Sequence, residues 1–303
     1  MSNDELILKI KKLKEEHDAV ILAHNYQIGE VQDIADFVGD SLGLSIEASK
    51  TKARMIVFCG VRFMAETAAI ICPDKMVLVP DENAGCPMAN MITARQLHET
   101  KKLHPNAKVV CYVNSTAAVK AESDICCTSA NAVKVVDSIP KEYQIIFVPD
   151  RSLGDFVSKQ AGREMILWNG YCPTHHRILA QDIISMKAKY PNAKVMVHPE
   201  CTADVIAQAD VALSTGGMIK YAKETDAKEF IVGTEIGLLY TLGKDNPDKK
   251  FYPATRLSDC PNMKLNTLEK ILWSLEDMVY QVTVPEDIRV KAWNAIDKML
   301  KIS

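Results

Sequence analysis

The chain has 303 residues, 48% hydrophobic and 25% charged, which is the composition of a globular protein and not of a disordered, collagen-like or coiled-coil chain. Its formal charge is −3 at pH 7, with 36 Lys and Arg against 39 Asp and Glu, so no surplus of positive charge is present to hold nucleic acid. The amino terminus has no apolar signal-peptide region and no apolar run approaches the roughly 18–20 residues of a membrane span, so a cytoplasmic chain without nucleic-acid or membrane partners is expected.

A charged, helix-like segment opens the chain (DELILKIKKLKEEH). Short apolar, β-branched runs follow at AVILAH, FVGD, MIVFCG and MVLVP, separated by helix-length amphipathic stretches such as ITARQLHETKKLH further on. The succession recurs as KVVCYV, DICCT, QIIFVP and EMILW, and again as KVMVH, VALST, FIVG and KFYP. Strands alternating with helices predict parallel sheets covered on both faces. From Leu265 onward, LEKILWSLEDM and IRVKAWNAIDKML read as helices outside this succession, expected to fold back onto the first unit.

The succession is a threefold repeat. PNAKV occurs at Pro105–Val109 and at Pro191–Val195, and TSANAVK from Thr128 matches STGGMIK from Ser214 at the same offset. CPDKMVLVPDENAGC ending at Cys86 resembles NPDKKFYPATRLSDC ending at Cys260. Each copy has a polar triplet at the end of its first strand: His24-Asn25-Tyr26, Tyr112-Val113-Asn114 and His198-Pro199-Glu200. A hydroxyl follows each triplet at one fixed distance, at Ser41, Ser129 and Thr215, and a cysteine comes later at Cys86, Cys172 and Cys260. The expected fold is therefore α/β: three pseudo-threefold-related, doubly wound parallel-sheet domains of roughly 85 residues around a central active site. The boundaries read as 1–85 with the C-terminal helices 262–303, 86–171, and 172–261.

In open α/β sheets ligands bind at the carboxyl ends of strands, where the triplets lie. Asp40-Ser41, Thr128-Ser129-Ala130-Asn131 and Ser214-Thr215-Gly216-Gly217 read as helix N-caps. One such serine alone is most simply a cap. Three in register suit a small substrate with several anionic groups, because helix N-termini bind carboxylates and phosphates.

Nine cysteines, an odd number without framework spacing, argue against a disulfide scaffold. Cys59, Cys111, Cys126 and Cys127 sit in apolar runs and read as small buried hydrophobes, while Cys72 and Cys201 are less clear. Cys86, Cys172 and Cys260 lie in loop-like sequence, each followed by proline. A pseudo-threefold axis would bring these three thiols together. Thiolates favour zinc or iron–sulfur clusters, and spacing alone leaves open a three-cysteine zinc site or a [4Fe–4S] cube with one iron free to act as a Lewis acid.

LAHNYQ from Leu22, DIADFVGDS from Asp33, YVNST from Tyr112, TSANAV from Thr128, VHPEC from Val197, STGGM from Ser214 and GTEIG from Gly233 together resemble the quinolinate synthase family, in order and along nearly the whole chain. The resemblance implies condensation of iminoaspartate with dihydroxyacetone phosphate to quinolinate, with loss of phosphate and water, on the route to NAD. It implies one oxygen-sensitive [4Fe–4S] cluster held by Cys86, Cys172 and Cys260 with one open iron, and an upstream enzyme that produces the imine. His24, Tyr26, His198 and Glu200 become the proton shuttles. Ser41, Tyr112, Asn114, Ser129 and Thr215 become the iminoaspartate contacts, together with Val113, Pro199 and Ser214 of the same landmarks; His175 is placed within reach and His176 at the surface. Cys260 stands alone in LSDCPNM, so the redox switch that some members build from a close-set cysteine cluster is expected to be absent. Two other readings share the three cysteines: a [4Fe–4S] hydro-lyase acting on a hydroxy acid, and a redox- or iron-sensing protein.

Overall fold

The computed structural model describes residues 2–302. Among these, twelve strands form three separate four-stranded sheets, and every ladder between strands is parallel. The first sheet holds β1 (Ala19–His24), β2 (Phe37–Gly39), β3 (Met55–Cys59) and β4 (Met76–Leu78). The second holds β5 (Ala107–Tyr112), β6 (Ile125–Cys127), β7 (Gln144–Val148) and β8 (Ile166–Leu167). The third holds β9 (Lys194–Val197), β10 (Val211–Ala212), β11 (Glu229–Gly233) and β12 (Lys250–Pro253). All twelve fall on the predicted runs. The spatial order is the same in each sheet: β2-β1-β3-β4, β6-β5-β7-β8, β10-β9-β11-β12.

The apolar runs behave as parallel strands do when both faces are covered. Leu22, Ile56 and Phe58 face one apolar cluster, while Ile21, Ala23, Val57 and Cys59 face another, as the two-residue side-chain period requires. The third sheet divides likewise, with Met196, Phe230 and Val232 on one side and Val195, Val197 and Ile231 on the other. The first of these clusters runs through all three units.

The structure adds a fourth repeated landmark. The residue before each second strand is an aspartate, and its Oδ2 accepts the backbone N–H of a residue in the first strand: Asp36 from Ile21 at 2.8 Å, Asp124 from Val109 at 2.8 Å, Asp210 from Val195 at 2.7 Å. A lysine pairs with each aspartate. One local device thus aligns the two strands whose ends carry the triplets and the hydroxyls.

The C-terminal helices divide between units. Helix Leu268–Asp277 packs on the opening helix Asn3–Glu16 and on β3. Helix Glu286–Ile302 instead packs chiefly on helix Ala117–Ala121 and on β6, in the second unit. Its buried stripe of Ala292, Ala295, Ile296 and Met299 joins the central cluster there. Between the two helices, Tyr280–Val282 pairs with the edge of β4: Val79 donates to Tyr280 O at 3.0 Å and Val282 to Val77 O at 2.8 Å. That pairing covers an otherwise open sheet edge.

Candidate active site

β1 and β5 end on His24 and Tyr112, and His198 follows β9 directly. In the first and third units the turn beyond the strand is built alike. His24 Nδ1 accepts the Tyr26 N–H at 3.2 Å, and His198 Nδ1 accepts the Glu200 N–H at 3.3 Å. Each ring therefore carries its hydrogen on Nε2. For His198 that hydrogen points to Ser129 Oγ of the second unit, 3.2 Å away. Burial holds both imidazoles down at about 3, so they are neutral at physiological pH.

Glu200 is the buried carboxylate among these groups. Burial works against its charge, but His175, whose Nδ1 lies 2.6 Å from Oε2, and the Tyr112 hydroxyl outweigh it and hold the carboxyl at about 2. Asn114 Nδ2 donates to its other oxygen at 3.3 Å. Burial, reinforced by this negative charge, raises the Tyr26 and Tyr112 phenols well above their ordinary range, so both stay protonated.

The hydroxyl landmarks divide into two kinds. In the first and third units the cap is the preceding residue: Asp40 accepts from Gly43 N at 2.8 Å and Ser214 from Gly217 N at 3.1 Å. Ser41 and Thr215 thus open helices Ser41–Lys50 and Thr215–Glu224. In the second unit Asn131 is the N-cap residue, but its side chain makes no capping bond to the helix. Asn131 turns its side chain back to the Thr128 N–H at 2.8 Å, the helix that follows has six residues, and Ser129 lies in the loop before it. The first and third units meet closely here, since a Cβ on Gly216 would lie 2.8 Å from Asp40 Oδ2. Asn25 Nδ2 donates to Thr215 Oγ1 across the same seam at 3.1 Å.

These groups line one cavity of about 190 Å³, with walls from all three units. Ten of the predicted substrate-contact or proton-transfer residues lie in its lining: His24, Tyr26 and Ser41 from the first unit, Tyr112, Asn114 and Ser129 from the second, His175, His198, Glu200 and Thr215 from the third. Three do not. Val113 is a core residue whose N–H bonds Cys127 O at 2.9 Å, Pro199 is buried in the turn outside the lining, and the Ser214 hydroxyl is committed to its cap. His176 is half-buried outside the cavity lining, stacked on exposed Tyr171 with its Nε2 3.0 Å from Ser152 Oγ, and so is less exposed than the surface position expected of it.

Cys86, Cys172 and Cys260 all line the same cavity, and no cysteine is in a disulfide. The other six, Cys72 and Cys201 included, are buried. The repeated proline has a physical reason. Cys86 and Cys260 each precede a turn of 3-10 helix, and Cys172 caps helix Pro173–His176 with Pro173 in its first turn. Proline lacks an N–H where none is needed, and the next amides are free to point at sulfur. Met88 and Ala89 do so for Cys86, His175 for Cys172, Asn262 and Met263 for Cys260. Burial still dominates, pushing Cys86 up to about 12 and raising the other two. Three half-buried, amide-supported sulfurs on one cavity, with their thiols raised in this way, become thiolates when a cation lies among them, which is the donor chemistry of iron–sulfur or zinc. Cys172, His175 and Glu200 also offer ligand atoms within 4.8 Å of one another. There the carboxylate and imidazole already satisfy each other, and Cys86 and Cys260 would be left without a role.

The third-strand ends supply contacts that the residue-by-residue reading did not assign. Thr234, just after β11, places Oγ1 2.7 Å from the Tyr26 hydroxyl and 2.9 Å from His175 Nε2. Its neighbour Glu235 is fully buried and accepts from the Cys260 N–H at 2.9 Å and the Gly237 N–H at 2.7 Å. It pairs with Lys264 Nζ at 2.9 Å, and Lys264 in turn donates to the Tyr26 carbonyl. The only signal of these residues was GTEIG, a motif without an evident chemical role.

The family model described as quinolinate synthetase A protein matches residues 8–301. The chain is 59% identical over 294 residues to the quinolinate synthase of Dehalococcoides mccartyi (strain CBDB1), covering 97% of each chain. It is 56% identical over 302 residues to the quinolinate synthases of Methanosarcina barkeri (strain Fusaro) and Geobacter metallireducens (strain GS-15), covering 100% of this chain and 99% of each relative.

Proposed function

The chain belongs to the quinolinate synthase family, and from that premise we propose that it condenses iminoaspartate with dihydroxyacetone phosphate to quinolinate, releasing phosphate and water, in NAD synthesis. Cys86, Cys172 and Cys260 hold one [4Fe–4S] cluster in this reading, which makes the enzyme an iron–sulfur-dependent transferase of the cytoplasm supplied by an imine-producing enzyme. When bound, the cluster supplies a Lewis acid at the one iron that has no cysteine.

The protein's own groups divide the remaining work. The Ser41, Ser129 and Thr215 hydroxyls and the amides beside them hold the carboxylates of the imine. Asn114 Oδ1 is buried without a hydrogen-bond partner among the described residues, which leaves it free to accept an N–H or O–H from the substrate. Glu200, charged and buried, is the base; neutral His24 and His198 accept or pass protons at the strand ends; the Tyr26 and Tyr112 phenols donate. The observation that carries this reading is the convergence, on one cavity, of three Cys-Pro turns with the polar strand ends of three repeats. No helix among the described residues is long and apolar enough to cross a membrane.

The test is anaerobic turnover with iminoaspartate generated in place and dihydroxyacetone phosphate, following quinolinate and inorganic phosphate together with iron and sulfide content. Equal release of quinolinate and phosphate by a sulfide-containing protein is expected. Dehydration of a hydroxy acid without phosphate release, or one zinc without sulfide, overturns it.

A further inference from the structure

We propose that Asn262 is a positioning residue for the iron–sulfur cluster, its side-chain amide tying the turn that carries Cys260 to the loop that carries Cys86. The inference rests on the function proposed above and adds to it a residue that sets how two of the cysteines approach one another. Cys86 follows β4, Cys172 follows β8 and Cys260 follows β12, each the last strand of a different sheet. No hydrogen bond within one turn can therefore fix the three sulfurs relative to one another; contacts across the seams must do so. Asn262 lies two residues after Cys260, and its Nδ2 donates to the carbonyl of Gly85, the residue before Cys86, at 2.6 Å. Its backbone N–H is one of the two that face the Cys260 sulfur. One residue thus supports its own sulfur through the main chain and reaches the neighbouring loop through its side chain.

The same offset recurs at the next seam. Thr174, two residues after Cys172, donates from Oγ1 to the carbonyl of Asp259, the residue before Cys260, at 3.4 Å. Arg177 Nη1 reaches the same carbonyl at 3.4 Å and lies 3.8 Å from Asp259 Oδ1. At the third seam the corresponding residue is Met88, which has no side-chain hydrogen to donate, and Trp168 Nε1 donates to the Met91 carbonyl at 2.9 Å instead. Of the two links made by the repeated offset, that of Asn262 is much the shorter and so the stronger. It is also separable from the fold. Lys264 donates to the Tyr26 carbonyl beyond β1, and Asn266 Nδ2 donates to the Gly60 carbonyl beyond β3 at 2.9 Å. Removing the Asn262 amide leaves both of those ties in place and frees only the one beside the sulfurs.

The experiment compares wild type with Asn262→Ala, which removes the donor, and with Asn262→Asp, which keeps the shape and sets a carboxylate against the Gly85 carbonyl. Each protein is loaded with cluster anaerobically, and iron release to an excess of a ferrous chelator is followed by absorption. Iron and sulfide content, the electron paramagnetic resonance spectrum of the dithionite-reduced cluster and the thermal midpoint of the cluster-free protein are measured alongside. Both variants are expected to release iron about tenfold faster or more, the scale for losing a group that orients metal ligands. Asn262→Asp should be at least as fast as Asn262→Ala, with an altered resonance spectrum and a midpoint close to that of wild type in both. Release within twofold of wild type in either variant overturns the proposal. So does faster release that comes only with a fallen midpoint, or a variant that does not fold, because Asn262 would then support the fold and not the ligands. A wild-type protein that takes up no sulfide-containing cluster overturns the function proposed above, whereas a cluster held as firmly by the variants as by wild type overturns the role of Asn262 alone.

Discussion

Lowering the pH from 7 to 5 should destabilise the cluster-free protein far more than its surface charge would suggest. His24 and His198 are buried and held at about 3, against an ordinary value of 6.5. Between those values the unfolded chain binds a proton at each ring and the folded chain does not, so stability is full above about pH 6.5 and falls as pH drops toward 3. Integrated from pH 7 to 5, each ring removes about 2 kcal/mol and the pair about 4 kcal/mol, a large part of the roughly 5–15 kcal/mol that holds a domain. Glu200, held at about 2 against 4.5, acts in the same direction, but only as pH falls below about 4.5. The assay is urea unfolding of the apoprotein at pH 7, 6 and 5, followed by circular dichroism. The control replaces both rings by glutamine, which keeps a polar group at each strand end and cannot titrate. Wild type should lose midpoint steadily between pH 7 and 5, and the double variant much less. A wild-type midpoint that does not move, or a double variant just as acid-labile, would refute the assignment of both imidazoles as buried and neutral.

Replacing Cys86, Cys172 or Cys260 by Ala should abolish the brown absorption of the cluster and the activity. The same change at Cys59, Cys111 or Cys127 should leave both, at a packing cost of about 1–2 kcal/mol, as visible spectra and denaturation will show. Glu200→Gln and Tyr26→Phe should retain cluster and substrate binding and lose roughly 10²-fold in kcat, whereas Asn114→Ala should act mainly on KM, because an amide orients but does not shuttle protons; near-normal kcat in the first two would remove them from proton transfer. Exposure to air should stop turnover through loss of the open iron, with partial recovery on adding iron and reductant, and full activity after hours in air would contradict an open iron.

Periodicity was enough to read all twelve strands, the threefold repeat and the strand ends that carry His24, Tyr112 and His198, because each depends on neighbours in the chain. A parallel strand covered on both faces must be an unbroken apolar run, and its carboxyl end must then turn polar. The Cys-Pro turns were legible for the same reason, since the amides that face each sulfur come from the residues immediately after it. Ser129 shows where that logic stops: its register was right, but the cap it seemed to belong to turned inward once Asn131 took the Thr128 amide. Pairings between distant segments had no sequence signal. Thr234 meets Tyr26, Glu235 steadies Cys260 and Lys264, and helix Glu286–Ile302 leaves the first unit for the second. A lone threonine or glutamate looks the same in sequence whether it faces water or a buried phenol. The helix carries an apolar stripe that fits the exposed face of any of three similar units. What chose among those partners was the packing of the three sheets together, which decides which strand ends face one another and which faces remain to be covered.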